Sequence, residues 1–322
     1  MSWYPTPTPS QAGRAVLVTG ANAGLGFFTS ARLARAGAHV ILAGRSPERL
    51  AAAVAAIRGR IPAASVDTLV VDISSLDSVR AAVDRLLDRA PLDTVVLNAG
   101  IVHTPATRLE SVDGNELVLA TNVLGHFALL AGTVPHLATG ARVVTIGSLS
   151  TRLSTFRTDD LQLRRSYDSW RAYAQSKIAS SSIAFELDRR LRRAATDAAE
   201  AVGAASVTPR IHSVVAHPGY SISGRTPRVP GVNEPTRLDR FADALQAPVA
   251  QGKHRGADVI VHAAAADDVE GGQFWGPRYE VKGPPSLGTP TRTSRDPAIG
   301  ARVWAFAEDA VGARLDVEAA GR

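Results

Sequence analysis

The chain predicts an α/β fold: a doubly wound parallel sheet with helices on both faces, three α/β/α layers in a single domain. Three observations carry this. Short β-branched runs alternate with helical patterns from residue 15 onward, the signature of parallel strands joined by crossover helices. The runs are almost continuously apolar, as in Thr94-Val95-Val96-Leu97, which a strand covered on both faces requires. A glycine-rich run from Gly20 to Gly26 separates the first strand from the first helix with no other spacer.

The strands are expected at 15–19, 39–43, 68–72, 94–97, 142–146 and 211–216. Helices are expected at 25–36, 47–58, 76–89, 115–137 and 168–193, where apolar residues recur at helical spacing. Ile299, Val303, Trp304, Phe306 and Ala307 repeat the pattern near the C-terminus and mark a further helix docked on the core. Three segments break the rhythm. Residues 150–167 form a long polar connection, and 194–209 are Ala-rich, reading as a frayed helix extension and surface loop. Residues 221–251 carry Pro227, Pro230, Pro235 and Pro248; this irregular segment is expected to be a lid or substrate region, with a merely decorative loop as the alternative.

Composition narrows the function classes. The chain has 322 residues, 45% hydrophobic, with mean hydropathy near zero, so one large domain of 13–322 can bury a sizeable core. The segment 1–12 is rich in Pro and Thr and has neither a basic n-region nor an apolar h-region. It reads as an extended, mobile tail and not as a signal peptide. With no Cys, disulfides, Cys-ligated zinc and thiol catalysis are excluded, and a reducing, cytoplasmic location is expected. No run approaches ~18 uninterrupted apolar residues, so no membrane span is expected. The net charge of +6 invites a nucleic-acid reading, but the basic residues are dispersed. Their densest run, Arg189 to Arg193, closes a predicted helix, where cations complement the dipole. Without a binding motif or aromatic platform, no nucleic-acid partner is expected; an anionic cofactor suits the charge better.

Gly20, Gly24 and Gly26, with Asn22 and Leu25 among them, follow the first strand at once and open the first helix. Glycines let the backbone approach a pyrophosphate, and the helix N-terminus offers unpaired N–H groups to its charge. For the run alone, a tight structural turn is the alternative. The end of the second strand decides which dinucleotide would bind. An acid there selects NAD, whereas Arg accommodates a 2′-phosphate; the chain reads Ala43-Gly44-Arg45, which favours NADP(H), the alternative being a solvated Arg at a helix start. Asp72, followed by Ile73, is placed either to meet the adenine amino group or to cap the next helix.

Tyr173 and Lys177 stand four apart in Tyr-Ala-Gln-Ser-Lys and share a helix face. Lys177 is one of only three lysines. Asn98-Ala99-Gly100 ends the fourth strand, Asn122 lies in the helix after it, Ser148 follows the fifth strand, and Pro218-Gly219 follows the sixth. This ordered set, spanning 13–219, resembles the short-chain dehydrogenase/reductase family. Thr19-Gly20-Ala21-Asn22, Ala43-Gly44-Arg45, the wide gap from Ser148 to Tyr173, and Ala216-His217-Pro218-Gly219-Tyr220 make it most similar to the retinol-dehydrogenase and protochlorophyllide-reductase-like branch.

The resemblance implies a Rossmann-like fold and NADP(H)-dependent carbonyl reduction or alcohol oxidation on a small molecule. It implies that Asn98, Ala99, Gly100, Pro218 and Gly219 line the cofactor, that Lys177 binds the nicotinamide ribose, and that Asn122 holds a water linking the lysine to solvent. The chemistry of the residues agrees. A free Tyr has a pKa near 10, and an ammonium beside it would lower that value and make it a proton shuttle. Ser148 would hydrogen-bond the substrate oxygen as charge develops. Blander readings stay open: Asn122 facing a neighbouring carbonyl, Ser150 in place of Ser148, Tyr173 and Lys177 as a surface pair, Pro218-Gly219 as a plain turn. The glycine loop carries no basic residue, leaving Arg45 to select the cofactor alone, and Gly147 before Ser148 is expected to loosen that turn. His103, His217 and Tyr220 border the expected pocket as structural rim. No His, Asp and Glu have metal-ligand spacing, so a metal-independent site is expected. Phe156, Tyr167, Trp170 and Tyr220 suggest a bulky, mostly apolar substrate. Epimerisation or double-bond reduction with retained cofactor, and a cofactor-sensing binding protein, are the rival functions; the chain leaves a homo-oligomer open.

Overall fold

In the computed structural model, residues 3, 6–201 and 211–318 are described. Strands β1 (Ala15–Thr19), β2 (His39–Gly44), β3 (Val66–Val70), β4 (Leu92–Leu97), β5 (Leu137–Ile146) and β6 (Ile211–Ala216) run parallel in the order 3-2-1-4-5-6. That order is the doubly wound arrangement, with its switch point between β1 and β4. Leu17 of β1 lies opposite Ile41 on one side and Val95 on the other, and Val16, Leu17 and Val18 are fully buried. A continuous apolar run is the only pattern that suits a strand so enclosed.

The sheet extends further than expected. Strands β7 (Ser221–Ile222) and β8 (Gln251–Gly252) pair only with each other and bracket the Pro-rich segment. Beyond β6, β9 (Phe274–Pro277) adds in parallel and β10 (Pro285–Leu287) closes the edge antiparallel. β7 and β8 are two residues each and β9 and β10 carry Pro, so their sequences show no strand pattern. The third strand spans Val66–Val70 and not 68–72, leaving Asp72 in the loop.

Helices α1 (Gly24–Arg35), α2 (Pro47–Arg58) and α8 (Lys253–Ala265) cover one face of the sheet. The other is covered by α3 (Leu76–Leu87), by α4 (Leu117–Leu119) running through a π-helical turn at Ala120–Leu124 into α5 (Gly125–Thr133), and by α6 (Ser169–Ala201) and α10 (Pro297–Val311). Between α6 and α10 lie the short helices α7 (Arg237–Leu245) and α9 (Arg292–Arg295). The predicted C-terminal helix is α10, and its Trp304 packs edge-on against Phe127 at 5.1 Å. The stretch Leu117–His136 is long and apolar enough, by composition, to cross a membrane, but it is 72% buried and serves here as a core helix.

Three expectations need correction. First, the basic run does not close its helix: α6 runs on to Ala201, as the helix extension expected of the Ala-rich segment, and the surface loop expected after it falls on 202–210, outside the described residues. The basic run therefore lies inside the helix. Arg189 and Arg190 pair with Glu186, and Arg192 pairs with Asp188, at 2.7–2.8 Å, one turn away as helix geometry favours. Second, the N-terminal segment is anchored by the burial of Trp3 and Gln11. Trp3 is 2% exposed, set edge-on to Phe27 and Phe28 at 5.2 and 5.8 Å, with the Arg60 guanidinium 4.1 Å above its ring. A single buried Trp outweighs the extended bias of a Pro/Thr-rich chain. Third, the 150–167 connection is tucked in and not merely polar: Leu161 and Leu163 are buried, and Asp160 accepts the N–H groups of Arg164 and Arg165 at 2.8 and 3.0 Å.

Candidate active site

The site is assembled at the C-terminal ends of β1, β4, β5 and β6. Gly20 has φ +65°, and a methyl group there would meet the Ala99 Cα at 2.9 Å; one on Gly26 would meet Asn98 Nδ2 and the Gly20 carbonyl oxygen at 2.5 Å. Only a loop without side chains closes this tightly against the β4 turn. The first turn of α1 has Ala23 at its N-cap with no side-chain hydrogen bond, whereas Ser46 and Ser75 cap α2 and α3. Its leading N–H groups are thus left for an outside acceptor, which fits a bound pyrophosphate.

Thr19 and Asn98 lock the loops together. The Thr19 hydroxyl oxygen accepts from the N–H groups of Asn98 and Ala99, both at 2.9 Å, and the Asn98 amide donates to the Thr19 carbonyl at 2.8 Å. With both acceptor positions used, the Thr19 O–H is available to His126 Nε2 at 3.0 Å or to the Val96 carbonyl at 3.2 Å. His126 is buried on α5, and desolvation, then the nearby Lys177 charge, drives its pKa down to about 3. It is a neutral imidazole. From sequence Thr19 entered only as part of the motif Thr19–Asn22, and His126 not at all; polar residues amid an apolar strand and helix were the signal.

Asn122 sits in the π-helical turn, a distortion common at functional positions. Its Oδ1 accepts from Ile101 N–H at 2.8 Å, and its Nδ2 donates to Ser176 Oγ at 2.9 Å and to the Ile101 carbonyl at 3.2 Å. Both amide hydrogens are spent tying the β4 loop to α6. The expected water-holding role is therefore not one its N–H groups can take; the side chain positions the neighbouring elements.

Tyr173 and Lys177 share one face of α6 as predicted. The Tyr173 hydroxyl donates to Ser148 Oγ at 3.3 Å, and Lys177 Nζ donates to the Ile146 carbonyl at 2.9 Å. Ser148 and not Ser150 meets the tyrosine; Ser150, itself buried, donates its hydroxyl to Ser148 Oγ at 2.9 Å. Gly147 sits where a Cβ would press on Val215 Cγ1 at 2.9 Å, and its N–H donates to the Ala216 carbonyl at 3.0 Å. The expected lowering of the tyrosine pKa is reversed: burial pushes the phenol up, and the Ser148 hydrogen bond offsets only part. Burial also lowers Lys177 to about 8, so its ammonium is still present at neutral pH but is lost more readily than that of a free lysine.

At the second strand, Arg45 is exposed and makes no hydrogen bond or ion pair among the described residues. A side chain at Gly44 would meet Asn22 Oδ1 at 3.1 Å, which places Asn22 between the glycine loop and Arg45. Asp72 does not cap α3; Ser75 does. Its Oδ1 accepts from Ser74 N–H at 2.9 Å and Ser74 Oγ at 2.7 Å. Ile73 is buried in the core behind it. A basic group does reach the glycine loop: Lys253, opening α8, would lie with its Nζ 3.7 Å from a Gly24 Cβ. A separation of 229 positions along the chain hid this from the sequence.

On the far side, Gly219 N–H donates to His217 Nδ1 at 3.2 Å, and the Pro218 carbonyl accepts from Ser221 and Gln251 at 2.9 Å. His217 stacks on Phe274 at 5.4 Å and is held down to about 4 by burial, a structural role. Of the four rim aromatics, Trp170 lies 6.4 Å from Tyr173 and Tyr220 is 42% exposed. Tyr167 instead donates to the Pro105 carbonyl at 3.1 Å, and Phe156 packs on the core.

The family model described as short chain dehydrogenase matches residues 14–195, the span that holds the glycine loop, Arg45, Asp72, Asn122, Ser148, Tyr173 and Lys177. The chain belongs to the short-chain dehydrogenase/reductase family. These enzymes are oxidoreductases that use a nicotinamide cofactor. Polyprenol dehydrogenase of Mus musculus is 34% identical over 310 residues, covering 94% of this chain and 84% of the mouse protein. Retinol dehydrogenase 14 of the same organism is 32% identical, with 93% and 86% covered, which places the chain in the retinol-dehydrogenase-like branch. Among solved structures, an uncharacterised protein from Mycobacterium paratuberculosis superposes with a TM-score of 0.73 at 32% identity, over 96% of this chain and 97% of that one.

Proposed function

We propose that this member of the family interconverts an alcohol and a carbonyl on a bulky, mostly apolar small molecule, using NADP(H). The observation that carries the reading is the Tyr173 hydroxyl on Ser148 Oγ at 3.3 Å, one helical turn from the buried Lys177. When bound, the nicotinamide supplies or accepts the hydride. Tyr173 gives its proton to the substrate oxygen in reduction and takes it back in oxidation. Ser148 donates its hydroxyl to the same oxygen and steadies the charge developing there. Lys177 orients the cofactor ribose and supports the tyrosine; Asn122 holds the β4 loop against α6. The exposed Trp170 and Tyr220 offer apolar surface at the mouth, and the relatives named for polyprenol and retinol, both apolar alcohols, support the substrate class.

The unpaired Arg45 supports the choice of NADP(H). Arg45→Ala is expected to weaken NADPH about 10- to 100-fold, the worth of a charge-assisted contact, and to leave NADH nearly unchanged. Lys253, beside Gly24, belongs with the pyrophosphate, which both cofactors share. Lys253→Ala should therefore weaken NADPH and NADH alike, by about tenfold. Nicotinamide fluorescence titrations of the three proteins check both. Equal losses for Arg45→Ala would remove its selecting role, and no binding by the wild type would remove the oxidoreductase reading.

A further inference from the structure

Helix α7 is inside out. A surface helix normally turns its apolar stripe to the core, yet Leu238, Phe241 and Leu245 are 76%, 67% and 72% exposed, and no residue of α7 is buried. Helical geometry gathers these three side chains into an arc about 60° wide. The opposite side is pinned. The Asp243 carboxylate accepts the Gly224 N–H at 2.6 Å, and Asp239 forms a reciprocal cap with Thr236 at 2.9 and 3.1 Å. Beneath the helix lies a cavity of about 900 Å3 lined by Arg225, Arg240, Arg255 and Lys282. Turning the stripe inward would break the Asp243 bond and set Leu and Phe against cations.

The charges around the stripe are positive. Residues 221–255 hold six Arg and Lys against three Asp and Glu, and two of those acids are the ones pinned above. Arg237 flanks the stripe about 70° from its centre, whereas Asp239 and Arg240 lie about 130° from it and Asp243 lies opposite. A second protein surface is a poor occupant. The nine-residue helix presents a strip about 14 Å by 10 Å, far short of the roughly 800 Å2 per partner that a stable interface needs. A short amphipathic helix with Leu and Phe on one side and Arg beside them has the composition of a helix that lies in a lipid interface.

We infer that α7 docks the protein on an anionic lipid surface, with Leu238, Phe241 and Leu245 entering the apolar layer and Arg237 meeting the headgroups. Docking also orients the site. Gln246, next after α7, accepts from the Tyr220 hydroxyl at 2.5 Å, so the helix is tied to the chain beside Gly219. An apolar alcohol could then pass from lipid to the mouth. That delivery rests on the proposed substrate class; docking itself does not.

The test is co-sedimentation of purified protein with vesicles of equal parts phosphatidylcholine and phosphatidylglycerol, with no substrate present. Wild type should pellet, and pure phosphatidylcholine should retain it several-fold less. The triple variant Leu238→Ser, Phe241→Ser, Leu245→Ser should lose vesicle binding at least tenfold while keeping its thermal midpoint and NADPH affinity. Arg237→Glu should lose it several-fold, with a weaker salt dependence. Wild type remaining in the supernatant, or a triple variant that still pellets, overturns the inference. So does a wild-type dimer in size-exclusion chromatography that the triple variant dissolves, since the stripe would then be covered by a second copy. NADPH binding measured in parallel reports on the oxidoreductase reading separately.

Discussion

Tyr173→Phe is expected to lower kcat by about 10²- to 10⁴-fold, the contribution of a positioned proton donor. NADPH affinity and thermal midpoint should stay near wild type, because the hydroxyl makes a single hydrogen bond, to Ser148, and the ring is kept. Since burial holds the phenol above its usual pKa, it is protonated at neutral pH and ready to serve reduction. The pH profile adds a second check. Burial lowers Lys177 from 10.5 to about 8, so its ammonium is present below that pH and lost above it, and reduction should decline as pH rises through 8. Stability should move the other way. Between about 8 and 10.5 the unfolded chain binds the lysine proton and the native one does not, so this group's contribution to stability rises with pH. A decline in rate without unfolding is therefore chemical. A Phe variant retaining more than about a tenth of kcat would remove Tyr173 from its role.

Asp258→Ala should be the most damaging change outside the site. Arg32 of α1 and Asp258 of α8 are 2% and 5% exposed and form an ion pair across the two helices. Arg32 Nη2 also donates to Thr6 Oγ1 at 2.7 Å, and the Thr6 hydroxyl donates to Asp258 at 3.2 Å. The pair therefore anchors the N-terminal segment as well. Desolvation raises the Asp258 pKa, with the Arg32 charge pulling against it; we read the pair as ionised because the guanidinium stays charged and needs its partner. Removing the carboxylate alone strands a buried cation, at a cost of about 3–5 kcal/mol. In a chain of this size that lowers Tm by roughly 10 °C. The double change Arg32→Met with Asp258→Leu should recover most of the loss, since no charge is then left unpaired. A single Asp258→Ala variant melting within about 2 °C of wild type would show that solvent already screens the pair.

Much of the frame was legible because it is local. Strands β1 and β6 and helix α2 have the bounds their patterns predict, since apolar runs and a Pro47 start after Ser46 act within a few residues. Tyr173 and Lys177 were legible for the same reason: four residues on a helix share a face whatever surrounds them. Lys253 beside Gly24, Trp3 on Phe27 and Phe28, and Thr19 beneath His126 were not, because each contact joins residues whose distance apart in the chain carries no period. The rim aromatics divided on the same ground. Trp170 opens the helix that carries Tyr173, whereas Tyr167 was captured by the Pro105 carbonyl.

The amino-acid sequence by itself determined the parallel α/β class, the glycine turn at the first helix, the family, and the order of the reactive residues along the chain. Periodicity, backbone freedom and helical spacing are short-range properties, and they survive without knowledge of the fold. The tertiary structure alone decided that Ser148 and not Ser150 meets Tyr173, that Asn122 spends its amide hydrogens on Ile101 and Ser176, and that α7 turns its apolar side to solvent. Each of those outcomes depends on which distant groups compete for one hydrogen bond or one patch of buried surface, and that competition is settled only when the chain is folded.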